Sequence, residues 1–389
     1  MFSRRVPDEL SPNRIASARM AAPPRFDLTV SNPTECGIPY PEGILTSLAD
    51  ARGLAYRPHP RGLASARIAV AEEYSRLGVT VDPERIVLTS STSEAYALLF
   101  KLLCNPGEAV LVPTPSYPLF EHLAHLEGIE TVCYHLDFEA RWRVDLRELE
   151  TAPESVRAVV VVHPNNPTGS YVHAADAAAL SALCSRRGWA LIVDEVFLEY
   201  SFSADLGPAA SFARLGSEVL TFVLGGLSKS IGLPQAKLSW IAVGGPNALA
   251  ASALERLEFI NDAFLSAGTA VQLALPVLLR EGAAVRTAIR ERCLANLAEL
   301  RRAVAGYQSM SVMLPEGGWT ATLRFPAVIG EEELLLELLA GDGVGVHPGF
   351  FFDFPVEGIL VISLLPPPAL FAEGIRRTLL RISTHLGAT

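Results

Sequence analysis

The chain has 389 residues, room for about two domains at ~150 residues each and enough to bury a core without disulfide or metal staples. Hydrophobic residues make up 50% and charged residues 19%, which excludes a disordered chain. The net charge of −10 argues against nucleic acid or an anionic membrane surface as the main partner.

Residues 1–44 are rich in Pro, Arg and Ser, show little periodicity, and read as an N-terminal arm. The opening MFSRRVPDEL is basic with no apolar stretch behind it, so no secretory signal is expected. From there, short apolar strands alternate with helices. The strand candidates are Ile86–Thr89, Ala109–Pro113, Ala158–Val162, Ala190–Val193, Leu220–Leu224 and Leu238–Val243. Ser93–Leu103 and Ala174–Arg187 are among the helices between them. This alternation predicts an α/β domain over 45–272, with a mostly parallel sheet sandwiched by helices. Leu273–Arg302 reads as one long helix, in which Pro276 is the candidate break. Strand-like stretches near Thr320–Phe325 and Gly358–Leu364 and a closing helix from Pro368 predict a smaller α+β domain over 273–389.

Cys36, Cys104, Cys133, Cys184 and Cys293 are scattered, with no CxxC pair and no Cys/His cluster, so neither a metal site nor a disulfide framework is expected. No apolar run approaches the ~18 residues of a membrane helix, and a cytoplasmic setting is expected. Positive charge is almost all arginine; Lys101, Lys229 and Lys237 are the only lysines. A lysine amine can lose its proton and act as a nucleophile, whereas a guanidinium effectively cannot.

In a parallel α/β sheet, ligands collect at the carboxyl ends of the strands. After Ile86–Thr89 come Ser91, Thr92 and Ser93, which suit either phosphate binding at a helix start or ordinary capping. After Ala109–Pro113 a Pro-rich turn carries Tyr117, a candidate stacking ring or simply a core tyrosine. After Ala158–Val162 the run His163-Pro164-Asn165-Asn166-Pro167-Thr168-Gly169 holds more turn chemistry than a plain connection needs, and Asn166 is its candidate amide donor. Asp194 follows Ala190–Val193; a carboxylate at the inner end of a buried strand needs a cation or a protonated ring nitrogen, unless it caps a helix. After Leu220–Leu224 comes Ser228-Lys229, whose amine can form a Schiff base with a carbonyl cofactor. Together these groups suit pyridoxal 5′-phosphate (PLP). Lys229 would attach it, Asp194 would pair with its ring N–H, Asn166 would bond its phenolic oxygen and Tyr117 would stack on the ring. His163 and His347 read as structural.

The chain resembles the class I/II aminotransferases of PLP fold type I over roughly residues 28–380. The motifs occur in the family's order: Asn32-Pro-Thr34, Tyr56 with Gly62-Leu63, Ser91-Thr-Ser93, Pro115-Ser-Tyr117-Pro118, Asn166-Pro-Thr-Gly169, Asp194-Glu195, Ser228-Lys229 and His347-Pro-Gly349. The resemblance implies a large domain with a mostly parallel seven-stranded sheet plus a smaller C-terminal domain. It implies a cytoplasmic homodimer in which Tyr56 reaches the neighbouring subunit's phosphate. It also implies transfer of an amino group from an amino acid or amine to a 2-oxo acid, through a Lys229 Schiff base and a pyridoxamine phosphate intermediate. The cofactor-binding set would be Ser91, Thr92, Ser93, Tyr117, Asn166, Asp194, Phe197, Ser228, Lys229, Lys237 and the partner's Tyr56.

Three departures stand out. Lys237 occupies the usual position of a phosphate-binding arginine, which keeps the charge and loses the bidentate fork. Phe197 replaces a tyrosine that donates to the cofactor's phenolic oxygen, which would let the imine hold its proton to higher pH. In Leu360-Val361-Ile362-Ser363, Val361 stands where the family carries the arginine that clamps the substrate carboxylate. Another arginine (Arg5, Arg25, Arg324) could take over, the substrate could lack an α-carboxylate, or the carboxylate could be the group lost. The last option keeps a PLP-dependent decarboxylase, lyase or cyclase open beside the aminotransferase. A silent PLP-binding regulator fits less well, since no DNA-binding domain is evident, and no G-x-G-x-x-G follows the first strand to suggest a dinucleotide enzyme.

Overall fold

The computed structural model describes residues 2–203, 205–214 and 218–387. Its main sheet holds β1 (Ile86–Thr89), β2 (Ala109–Thr114), β3 (Glu130–Glu139), β4 (Arg141–Val144), β5 (Val156–Val162), β6 (Ala190–Asp194), β7 (Thr221–Gly226) and β8 (Ser239–Gly244). These eight strands lie in the order β1-β8-β7-β6-β5-β2-β3-β4. The pairs from β3 through β2, β5 and β6 to β7 are parallel, while β8 runs antiparallel to β7 and β1. The mostly parallel sheet expected from the sequence is therefore present, and the short edge strand β4 makes an eighth, folding back on β3 through Ala140.

β2, β5 and β6 read as near-continuous apolar runs because both faces of the sheet are covered. Alternate residues feed two cores: Val110 and Ile192 face one, Leu111 and Leu191 the other. Each such fully buried side chain contributes roughly 1.5–3 kcal/mol relative to exposure. The helix Ala174–Arg187 ends where Gly188 turns left-handed (φ 68°), the residue type that tolerates that conformation.

The long helix spans Thr269–Val304 without a break at Pro276. Pro276 removes one backbone donor, but Leu275, Leu278 and Leu279 are buried around it, and packing holds the helix through that point. Beyond it lies an antiparallel sheet of β9 (Ser311–Met313), β10 (Thr320–Arg324), β11 (His347–Pro348) and β12 (Ile359–Ser363), in the order β9-β10-β12-β11. The N-terminal arm is more ordered than its composition suggests. It forms a helix, Arg14–Ala21, and Phe26–Asp27 pairs in parallel with Val344–Gly345. From there Leu28 O accepts the Ser363 N–H at 2.8 Å, which ties the arm to β12. Among the described residues no helix is long and apolar enough to cross a membrane, and all five cysteines are free.

Candidate active site

The carboxyl ends of β5, β6 and β7 open on a cavity of ≈ 190 Å³. β5 delivers Val162 and Asn166, β6 delivers Asp194 with Val196 and Phe197, and β7 delivers Gly226, Ser228 and Lys229. Thr92 and Ser93 line it from the start of the helix Thr92–Leu103. The first N–H groups of a helix have no intrahelical acceptor, so this end can hold an anion. Lys229 sits in the single turn Leu227–Ser230. That turn lies close against β8: a Cβ on Gly226 would come within 2.2 Å of Ser239 Oγ, so only glycine fits there.

Asp194 is buried, accepting from Tyr96 O–H at 3.0 Å and the Val196 N–H at 3.2 Å. Burial pushes its carboxyl up to about 6, against those bonds and the charge of Lys229. Burial also lowers the Lys229 amine, while Asp194 pulls the other way. The Lys229 Nζ lies 5.0 Å from the Trp319 ring centre and 5.7 Å from that of Phe197. A buried carboxylate lacking a cationic hydrogen-bond partner, a desolvated amine beside it and a helix start with hydroxyls suit a cofactor with a protonated ring nitrogen, an aldehyde and a phosphate. The residues present therefore fit PLP.

Two turns position the Tyr117 ring and the Asn166 amide. Buried Asn165 joins them, accepting from Ser116 Oγ at 2.9 Å while its amide donates to Pro115 O and Thr168 Oγ1, each at 2.9 Å. Gly169 has φ +68°, and a Cβ there would meet Gly317 O at 2.4 Å, so this turn lies flush against the segment leading into β10. His163 is buried between Tyr171 and Phe212. It accepts the Val172 N–H at 3.0 Å, contacts Ala210 O at 3.1 Å, and is held down to about 3 by burial. Burial therefore keeps its ring uncharged near neutral pH. His347 is likewise held down to about 4, chiefly by burial.

The C-terminal sheet closes the cavity with Trp319, Thr320 and Ser363, joined by Ser31 of the arm and Phe120. None of these was singled out as a site residue from the sequence; the only signal was the aromatic Trp319 placed directly after Gly317-Gly318. Thr320 pairs with Ser363 in register, and Val361 pairs with Thr322 and His347.

Of the predicted residues, Thr92, Ser93, Tyr117, Asn166, Asp194, Phe197, Ser228 and Lys229 line this one cavity. Ser91 does not: its hydroxyl accepts the Glu94 N–H at 3.1 Å and caps the helix. Lys237 is exposed, with φ 50°, and lies outside the lining. Tyr56, 79% exposed, faces a separate hollow with His59, Asn261 and Gln272. Arg5, Arg25 and Arg324 are also absent from the lining. Arg25 lies 5.2 Å over Phe26, and Arg324 is exposed. Among the described lining residues, Lys229 is the one basic side chain.

A family model for aminotransferase class I and II matches residues 32–370. The chain belongs to that family. It is a PLP-dependent transaminase. An alanine aminotransferase of Mycobacterium tuberculosis is 26% identical over 367 residues, covering 90% of this chain and 83% of its own. An S-alkyl-thiohydroximate lyase of Arabidopsis thaliana is 29% identical over 244 residues, 62% of this chain and 52% of its own. Among solved structures, a tyrosine aminotransferase from Leishmania infantum superposes with TM-score 0.84 at 22% identity, covering 98% of this chain and 100% of that one. This likeness shows the shared fold.

Proposed function

We propose that this transaminase moves an amino group between an amino acid or amine and a 2-oxo acid, using Lys229 both to hold the cofactor covalently and to shuttle the reacting proton. The observation that carries the reading is the convergence of Lys229, Asp194 and Asn166 on one cavity. Bound PLP supplies an electron sink while its ring nitrogen stays protonated. Asp194, which lines the cavity, would hold that proton. Asn166 would donate its amide N–H to the phenolic oxygen, Tyr117 would cover the ring, and Thr92, Ser93 and Ser228 would bind the phosphate. Lys229, once freed by the incoming amine, would be the group that takes up and returns the proton of the substrate carbon. Burial of the amine supports this role, since a base must be uncharged to accept a proton. Lys237 and the Tyr56 of a second subunit would reach the phosphate from outside, in a homodimer.

The test is a single-turnover panel of amino acids and amines with the PLP-loaded protein, followed by absorbance and mass spectrometry. The expected result is conversion of the cofactor to pyridoxamine phosphate with one equivalent of the matching oxo product. An eliminated group or carbon dioxide, with the cofactor returned unchanged, would assign a lyase or decarboxylase instead.

A further inference from the structure

Both ends of Lys229 are held by one group of aromatic rings. At its backbone, Tyr200 Oη donates to the Lys229 carbonyl at 2.6 Å, beside a longer bond from the Gly232 N–H at 3.3 Å. At its tip, Nζ lies over the Trp319 ring, 5.0 Å from the centre, and over that of Phe197 at 5.7 Å. The three rings pack edge to face: Phe197 and Tyr200 each stand 5.2 Å from Trp319, and 6.5 Å from one another. Tyr200 and Trp319 are buried. The indole N–H finds no partner among the described residues, so ring packing sets the orientation of Trp319.

The backbone locks this group in place. Gly318 N–H donates to Tyr200 O at 3.0 Å, and Ser201 forms an antiparallel bridge with Gly317. A Cβ on Gly317 would meet Tyr200 O at 2.7 Å, so glycine lets the segment leading to Trp319 come this close. The turn that carries Lys229 has four residues, too few to hold a helical shape unaided. A ring face also suits a group that must trade protons. It attracts the ammonium form, yet makes no claim on the lone pair of the free amine.

We infer that Tyr200 and Trp319 are positioning residues for Lys229, the phenol fixing its backbone and the indole its amine. The inference rests on the role proposed for Lys229 above. The test begins with borohydride reduction of the PLP-loaded wild type, after which the cofactor should be recovered on the peptide containing Lys229. Tyr200→Phe then removes only a hydroxyl, and Trp319→Leu removes the ring face, with folding checked by circular dichroism. Two readouts follow: the rate at which cofactor-free protein attaches added PLP, and single-turnover conversion of the cofactor band by alanine or phenylalanine. Both variants should slow attachment and the limiting conversion rate by about tenfold or more, because a displaced lysine reaches neither reacting carbon well. In Tyr200→Phe the half-saturating concentration should stay within about twofold of wild type, since the phenol bonds Lys229 and not the substrate. Trp319→Phe, which keeps a ring face, should recover most of the loss, and it decides the question if Tyr200→Phe fails to fold. Wild-type rates in Tyr200→Phe and Trp319→Leu, or a change confined to half-saturation, overturn the inference and leave the role of Lys229 standing. Cofactor recovered away from Lys229 in the wild type overturns both.

Discussion

The two sides of the cavity differ in how their polar groups are used. On the main-sheet side, the Lys229 amine and the Thr92 and Ser93 hydroxyls face the cavity, and Asp194 keeps a carboxyl there with only Tyr96 and one backbone N–H to satisfy it. On the C-terminal side, the hydroxyls of Thr320 and Ser363 donate to backbone carbonyls, and Val361 is buried and absent from the lining. The first side is left unsatisfied, ready for a ligand. On the second, the Trp319 indole N–H is a buried donor without a partner among the described residues. On the proposed function, the first side would carry the chemistry and the second would face the substrate.

Substitutions should respect that division. Lys229→Ala removes the covalent attachment and the proton carrier together. It should abolish the cofactor band after gel filtration and lower amino transfer by ~10⁴-fold or more, with the fold kept by circular dichroism. Asp194→Asn should keep the cofactor but slow turnover by about 10²–10³-fold, because the ring nitrogen loses its ionic partner. If Asp194→Asn turned over at the wild-type rate, the main-sheet side would not be where the charge is managed.

Glu195 tests the cost of buried carboxyls on that same side. It accepts from Ser211 Oγ at 2.8 Å and the Phe212 N–H at 2.6 Å, and burial pushes it up to about 8. A carboxyl raised in the folded chain binds its proton more tightly there than in the unfolded one. Its contribution is complete below its ordinary value of 4.5 and is lost as pH rises through about 8. The melting temperature should therefore fall from about pH 5 to about pH 8, and Glu195→Gln should flatten that fall by on the order of 2 °C in a scanning-calorimetry series. The smallest effect is expected at Phe197→Tyr, where an added hydroxyl should lower the pH midpoint of the bound cofactor's absorption band by about one unit.

The chemistry side was legible in the sequence because each of its residues follows a strand within a few positions. Asn166, Asp194 and Lys229 could be found by asking what comes next after each apolar run. Ala174–Arg187 could be bounded for a similar local reason, the glycine at its end. β3 was missed because Glu130–Glu139 mixes charged and apolar residues, with Tyr134 and Leu136 its buried side chains. The continuity of the long helix at Pro276 was also hidden, since the packing that overrides the proline comes from distant segments. The C-terminal wall of the cavity was hidden for the same reason. Ser31, Thr320 and Ser363 meet only through tertiary structure, and that the hydroxyls of Thr320 and Ser363 already donate to carbonyls cannot be read from residue type. Asn165 and Asn166 show the limit at close range: adjacent and identical in type, one braces two turns and the other faces the cavity.

The bond from Ser363 to Val30 joins positions 333 apart in sequence. On a ribosome, Ser31 emerges early and waits while nearly all of the main sheet is made. The strand that seats it arrives almost last. Closing so long a loop adds little entropy beyond that of a moderate one, since the cost grows only with the logarithm of length. It does fix the order of events: the C-terminal wall of the cavity can close only when β12 clears the exit tunnel.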